Sequence, residues 1–471
     1  MSIVSKITRA IFPAREKRTI TVVAKYDAAQ TTAENAAHWS QATAWDADTE
    51  ASPNVRATLR SRSRYETANN PWIAGMVRTQ AYDIIGTGPR LQVLSDKSKL
   101  NNAIEADFAA WARAIHLAQK LHTMRMAQAR DGEAFAVLIT NNKLTTKIKL
   151  DLQLIEADCV RADYNGEPTA TEVDGISYDA DGNPKRYNVM PHPGGLDTGA
   201  RGISVPADRV IHLYNADRPG QHRGVPELTS ALPYIAILRR YTLAMVKKME
   251  TSANISGVIQ TEEIDQEDGL AEAKPFENFS LPRDAFAALP RGYRLQSHQL
   301  NNPTESQTEF ALQVKLEVAR ALSLPRNVAL GDSSGYNYAS GRLDYQAYDK
   351  HLAIERLRIE TIALSSIMDH WLREFWPQSI YRKTDVPMTW FWDGRAHVDP
   401  VKEANAEAQR LATGTTTLAI ECARQGLDWE VVQDQRLAEE LREMQRRKEL
   451  GLPDAKNQPA KPESPPEPED E

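Results

Sequence analysis

The sequence predicts an α+β protein, mostly helical, and three observations predict it. Apolar residues recur at helical spacing through residues 226–252, 304–324 and 343–376. Strand-like runs, DGEAFAVLI, IKLDLQLIEAD and the Asp-Gly-centred YDADGNPKRYNVM, cluster in the stretch before residue 191. Hydrophobic residues at 41% and charged residues at 26% are ordinary for a globular chain, and 471 residues suffice for about three domains of ~150 residues.

Composition excludes more than it assigns. There are 57 basic against 64 acidic residues, a formal charge of −7, the wrong sign for a protein whose main task is gripping DNA phosphates. Residues 452–471 hold six acids, two lysines and six prolines and so carry −4 of that charge. A Pro- and Glu-rich end of this kind buries nothing and is expected to be disordered. Cys159 and Cys422 stand far apart without a partner motif, which points to a reducing compartment rather than a disulfide framework. The first residues, MSIVSKITRAIFPAREKR, are basic and weakly amphipathic but lack the apolar run of a signal peptide. No window approaches the ~20 apolar residues of a spanning helix.

In chain order, residues 20–55 are polar and rich in Ala and Thr. A helix-like spacing of Trp72, Met76, Ala81 and Ile84 follows, ending at Gly86 and Gly88 before a short strand, LQVL. The GTG there is not a dinucleotide fingerprint, because the third glycine of G-x-G-x-x-G falls on Leu91. Residues 101–130 read as helical. Asp179, Asp181 and Gly182 suggest a calcium loop, but its twelfth position is Met190 rather than glutamate, so a hairpin is expected. His212 and His222 lie near Asp208 and Asp217 at a spacing that fits no familiar metal site, and they are read as structural, leaving no metal or cofactor assigned.

The first rod, PELTSALPYIAILRRYTLAMVKKMETS, places Leu228, Leu232, Ile235, Leu238, Met245 and Met249 on one face, with a kink expected at Pro233. The second opens with a Thr304/Gln307 capping pair and stops at Pro325. Between them lies a turn-rich insert with the acidic run TEEIDQEDGLAEA. A third helix, residues 343–376, carries Tyr345, Tyr348, Leu352, Ile359, Ile362 and Ala363 on a packed face, and the last segment reads as helices broken at Gly414 and Gly426.

Between the second and third rods stands GDSSGYNYASGRLD. Gly331, Ser333 and Gly335 match the nucleophile elbow G-x-S-x-G, which would make a serine hydrolase. An elbow needs a strand entering the serine and a helix directly behind it, whereas here the frame is helix, loop, helix. The downstream histidines His351, His370 and His397 have no triad context. A flexible loop is the better reading, and no catalytic residue is assigned.

Four stretches together resemble the lambda family of bacteriophage portal proteins. They are LRSRSRYETANNPWIAGMVRTQAYDIIGTGPRLQ, VIHLYNADRPGQHRGVPELTSALPYI, NYASGRLDYQAYDKHL and DPVKEANAEAQRLATGTTTLAIECARQGLDWEVVQDQRLAEE, spanning about residues 56–452. The resemblance implies a portal fold: an N-terminal arm (1–55), an α/β wing (56–225), stem helix 1 (226–253), a clip (254–302) and stem helix 2 (303–325). It continues with a tunnel loop (326–341), a long wing helix and return (342–394), helical crown (395–452) and a disordered tail (453–471).

The resemblance also implies a non-enzymatic role. A dodecameric ring at one capsid vertex, assembled in the host cytoplasm and carried in the virion, would pass double-stranded DNA without reading its sequence. Implied partners are the terminase large subunit, a head-tail adaptor, and capsid and scaffold proteins, with no membrane. Asp332, Ser333, Ser334, Tyr336, Asn337, Tyr338 and Arg342 would form the tunnel loop. Lys247, Lys248, Lys315 and Arg320 would be stem residues facing the channel, and Glu262, Glu263, Asp265, Glu267 and Asp268 would meet partners at the clip. A monomeric DNA-binding adaptor is the remaining alternative, and it would need a basic face.

Overall fold

A computed structural model describes residues 36–162, 171–191, 202–254, 258–261, 293–296, 305–335, 337–376, 386–394 and 400–452. Residues 1–35, most of the segment expected to form a clip, and residues 453–471 lie outside the described residues. Within them the chain is α+β and mainly helical.

Helices α1 (Pro53–Asn69) and α2 (Pro71–Ile85) both begin on proline, whose missing N–H falls where a helix has no internal partner. Asn70 links them, closing α1 and capping α2 by accepting from the Trp72 N–H. After strand β1 (Arg90–Val93), the helical run expected through residue 130 is two helices, α3 (Ser98–Ala114) and α4 (Leu117–Asp131), because His116 turns left-handed at φ 55°.

Strands β2 (Glu133–Thr140) and β3 (Leu150–Ile155) follow. A second group, β4 (Glu172–Val173), β5 (Ile176–Tyr178), β6 (Pro184–Val189) and β7 (Ile203–Pro206), forms an antiparallel four-stranded meander. Strand β8 (Val210–Tyr214) returns to β2, giving the order β3-β2-β8. The β5–β6 hairpin turns as expected at Asp-Gly. The Asp179 carboxylate accepts from the N–H groups of Asp181 and Asn183, at 3.0 and 2.8 Å, and Gly182 takes φ +83°.

The first rod is α5 (Leu232–Asn254), about 35 Å long. It starts six residues later than the sequence predicts. Pro233 falls in its first turn, where it costs no hydrogen bond, so the expected kink is an N-terminus instead. Strands β9 (Val258–Thr261) and β10 (Tyr293–Gln296) pair antiparallel beyond it. The second rod, α6 (Glu305–Ala321), stops before Pro325: Ser323 turns left-handed and the Leu324 N–H returns to the Ala319 carbonyl. Thr304, half of the expected capping pair, lies outside the described residues.

A short helix α7 (Arg326–Leu330) precedes α8 (Tyr338–Ile359), which runs through a π turn at Glu360–Leu364 into α9 (Ser365–Phe375). Strand β11 (Met388–Phe391) closes on β1, and α10 (Pro400–Ala412), α11 (Leu418–Arg424) and α12 (Trp429–Glu449) break at Gly414 and Gly426 as predicted. One large core joins these parts. At its centre Phe108, Trp111 and Trp371 meet at tilted and edge contacts, and the Trp111 indole N–H donates to the Leu150 carbonyl at 2.7 Å.

A buried ion network fastens the helices to the β part. Glu133, the first residue of β2, is fully buried and accepts two parallel bonds from Arg223, at 2.7 and 2.9 Å. It also accepts from Arg60 at 3.0 Å, from His212 Nε2 and from the Gly224 N–H, both at 3.1 Å. Arg223 and Arg56 share Asp174, and Arg64 grips Asp131 and Asp158 at 2.8 and 2.6 Å. Arg56, Arg60 and Arg64 are one ridge of α1 at four-residue spacing.

Gly132 and Gly224 let two segments of the backbone approach. A Cβ on Gly132, at φ +91°, would stand 2.5 Å from the Val225 carbonyl carbon, and one on Gly224 would stand 2.1 Å from the Gly132 oxygen.

Burial alone would raise the Glu133 carboxyl, but Arg223 and the His212 bond hold it well below the usual range. Burial pulls the His212 imidazole below the ordinary histidine value of 6.5, against the raising effect of Glu133. Both groups have depressed folded values, so each stabilises the fold above its unfolded pKa and loses that contribution as the pH falls. The unfolded chain gains a proton near 6.5 that folded His212 refuses. The melting temperature should therefore drop between about pH 7 and about pH 5, and His212→Gln should flatten that decline.

Glu133→Gln should cost about 3–5 kcal/mol by leaving buried arginines without their counter-ion. Glu440→Gln, at the exposed Arg436–Glu440 pair of α12, should cost under ~0.5 kcal/mol. Denaturant unfolding of the two variants measures the difference.

Candidate functional site

The GDSSG stretch is the exposed connection between α7 and α8. No strand enters it, so the strand–turn–helix frame of a nucleophile elbow is absent around Ser333. Gly331 and Gly335 take positive φ, +61° and +76°, with open space where side chains would be, so backbone shape rather than packing calls for glycine. The Asp332 carboxylate accepts from the Ser334 N–H at 2.9 Å, a local turn whose hydrogen bonds hold Asp332 below its ordinary value.

Asn337 has a definite structural task. Its side chain accepts from the Ser340 N–H at 2.8 Å while the Ser340 hydroxyl accepts from the Asn337 N–H at 3.1 Å, a reciprocal cap on α8. Tyr338 is the first residue of that helix, Arg342 is exposed one turn further, and Tyr336 lies outside the described residues. His351 is half-buried and stacks beside Tyr348, and His370 Nδ1 faces the Ser366 carbonyl, so both serve their own helix. His397 lies outside the described residues.

The two rods lie against each other beside this loop. Tyr241 of α5 meets Phe310 of α6 edge-on at 5.0 Å. A cavity of about 440 Å³ opens between them, lined by Trp72, Met245, Met249, Leu312, Lys315 and Asp332. The sequence puts Trp72 on the apolar face of α2. Met76, Ala81 and Ile84 are buried as expected, but Trp72 is 40% exposed and receives Lys315, whose ammonium sits 3.8 Å above the ring. Burial lowers the Lys315 pKa. Lys315 thus turns back to α2, while Lys247 and Lys248 are exposed on α5 and Arg320 on α6. The acidic residues Glu262, Glu263, Asp265, Glu267 and Asp268 lie outside the described residues.

The two histidines weighed as metal ligands are each spent elsewhere. His212 is bonded to Glu133, and His222 Nδ1 to Asp48 at 2.6 Å. Among the described residues no group of His, Cys, Asp and Glu side chains is arranged to hold a metal. Cys159 and Cys422 are both free and buried.

Sequence reasoning missed the Glu133–Arg223 network and a second one around Glu227. There Arg125, buried completely, pairs with Glu227 at 3.0 Å, and Gln80 reaches both Glu227 and the Leu322 carbonyl at the end of α6. The ridge of Arg56, Arg60 and Arg64 in RATLRSRSR is a readable signal, since three cations on one helix face need either water or acids opposite them.

The family model "Phage portal protein, lambda family" matches residues 32–356, well over half of the chain. The chain belongs to that family. It is 23% identical over 487 aligned positions to a "Probable portal protein" of Halomonas phage phiHAP-1, covering 94% of this chain and 90% of the relative.

Among solved structures it is similar to a chain of the neck of a native gene transfer agent particle computed with C12 symmetry, with a TM-score of 0.48, 14% identity and coverage of 80% and 94%. An HK97 family portal protein from Corynebacterium diphtheriae gives 0.31, 13% identity and coverage of 73% and 96%.

The capping role of Asn337 has a direct test. Asn337→Ala should destabilise α8 by about 1 kcal/mol, and Asn337→Ser should restore most of it. Thermal melting of the two variants reads the difference; equal loss in both would refute the cap.

Proposed function

We propose that copies of this phage portal protein close into a ring at one vertex of the capsid, twelve being the number the family implies. Viral DNA enters and leaves through its opening. The observation that carries the ring is the apolar surface left uncovered on a single chain. Helix α8 buries Tyr348, Leu352 and Ile359 on one side and exposes Leu343, Ile354 and Leu357 on the opposite side, at 67%, 59% and 59%. Helix α12 buries nothing, and its Leu437, Leu441 and Met444 fall at i, i+4 and i+7. Faces of this extent belong in contacts between chains.

In this reading the exposed GDSSG loop faces the DNA, and the role is structural rather than enzymatic. Its neutral polar side chains suit a strand that must slide, because each firm phosphate contact would oppose movement. The acidic residues 262–268 would receive the terminase large subunit and then the head-tail adaptor, and the wing would meet capsid and scaffold proteins. No helix among the described residues is long and apolar enough to cross a membrane.

Ser333→Lys tests the loop. A belt of added cations would find a phosphate charge every ~1.7 Å of duplex and hold it in salt-dependent minima. The variant should assemble like wild type, as judged by sedimentation, but package shorter genomes. Full-length genomes in Ser333→Lys heads would remove the loop from the DNA path.

A further inference from the structure

Between the two rods lies a cation that no acid among the described residues answers. The Lys315 ammonium is half-buried and sits 3.8 Å above the Trp72 ring, whose face replaces only part of the water it has lost. Burial lowers its pKa, and no neighbouring carboxylate raises it back. Lys120, half-buried as well, is by contrast paired with Asp151. The other charges lining the cavity are Arg326 and Asp332. Asp332 is held below its ordinary value by the Ser334 N–H first and by the Arg326 charge in addition, so those two offset each other and Lys315 is the surplus. Most of the remaining lining is apolar. Met245 and Met249 of α5, Leu312 of α6 and Leu330 of α7 form walls beside the rings of Trp72 and Tyr241. The volume, about 440 Å³, falls within the ~300–1,000 Å³ of pockets that take small ligands. Two methionines let such walls adapt to an occupant.

We propose that this cavity binds a small amphiphilic anion, with an apolar body of ring or alkyl carbons between the rods and one carboxylate, sulfonate or phosphate head on the Lys315 ammonium. The fold has already taken that ammonium partly out of water, so an anionic head supplies the counter-charge without a further desolvation of the cation. The same arrangement selects against other heads. A cationic head would meet Lys315 and Arg326 as like charges, and a neutral alcohol would leave Lys315 unanswered. The site is built from one chain and does not depend on the ring reading. An occupant would touch α2, both rods, α7 and Asp332 at the entrance of the GDSSG loop, and so would join the parts that meet at the base of the rods.

The test titrates anilinonaphthalene sulfonate into the full-length chain by calorimetry, with decanoate and decylammonium as competitors. Wild type should show one site per chain that is tighter than the scattered binding its exposed apolar faces allow. Lys315→Met keeps the apolar stem and removes the charge, and it should weaken that site by about tenfold or more. Ala311→Trp places a large ring in the cavity and should abolish the site, since Ala311 is part of the lining. Both variants should melt close to wild type. Decanoate should displace the probe from wild type and decylammonium should not. Unchanged tight binding in Lys315→Met and Ala311→Trp would overturn the site. Loss in Ala311→Trp with full affinity in Lys315→Met, or equal displacement by the two competitors, would overturn the anion. Wild type without a tight site would overturn the proposal outright and leave the ring reading untouched.

Discussion

The pair Glu133–Arg223 is the constraint on which the rest of the α/β body depends. A carboxylate and a guanidinium with no exposure are tolerable only when every lone pair and every N–H is answered. Here the answers come from four parts of the chain: Arg60 of α1, His212 of β8, Asp174 between β4 and β5, and the Gly224 N–H. Removing any of these contributors exposes the others to a desolvation penalty they cannot meet. The network therefore fixes where α1 lies on the sheet more strictly than apolar packing would, since apolar faces tolerate sliding and bidentate pairs do not.

That rigidity is passed to the rods. Directly after Arg223 and Gly224 the chain runs Val225, Pro226, Glu227 and enters α5 five residues later. Glu227 belongs to the second network, with Arg125 of α4 and Gln80 of α2, and Gln80 also holds the Leu322 carbonyl at the exit of α6. On the other side, Tyr348 of α8 donates to Asp83 at 2.9 Å, and Arg356 donates to the Asp83 and Ile84 carbonyls. The entry of one rod, the exit of the other and the helix behind the loop are thus tied to α2. The loop between α7 and α8 has exposed residues and open space around its glycines, and it is mounted on that hydrogen-bonded frame.

Much of this was legible. The periodic runs gave both rods and α8, the Asp-Gly hairpin declared itself, and Gly414 and Gly426 broke the last helices where expected. What was not legible depends on meetings between distant residues. Pro233 reads equally as a kink or as a first-turn residue until the preceding turns are seen. Trp72 fits an apolar face by spacing, yet it is claimed by Lys315 from a helix more than two hundred residues away. Asn337 reads as a loop amide as long as its partner Ser340 reads as loop too, and only the start of α8 at Tyr338 turns the pair into a cap. Glu133 reads as the polar start of a strand, since nothing local shows that Arg223 will reach it.

The net charge of −7 also takes a different meaning once the cations are located. Arg56, Arg60, Arg125 and Arg223 are buried against acids, and Arg239, Arg356 and Arg358 are engaged on Glu66, Trp392 and Glu355. Cations committed in this way cannot condense onto phosphates, whatever their number, because leaving a buried carboxylate would cost more than a phosphate contact returns. The supply of free positive charge to a passing duplex is therefore lower than composition suggests. The exposed loop is flanked by two exposed cations, Arg326 at the start of α7 and Arg342 one turn into α8. A chain that spends its arginines on internal geometry can hold a channel open with fixed walls while offering DNA little to grip, and both properties follow from the same set of side chains.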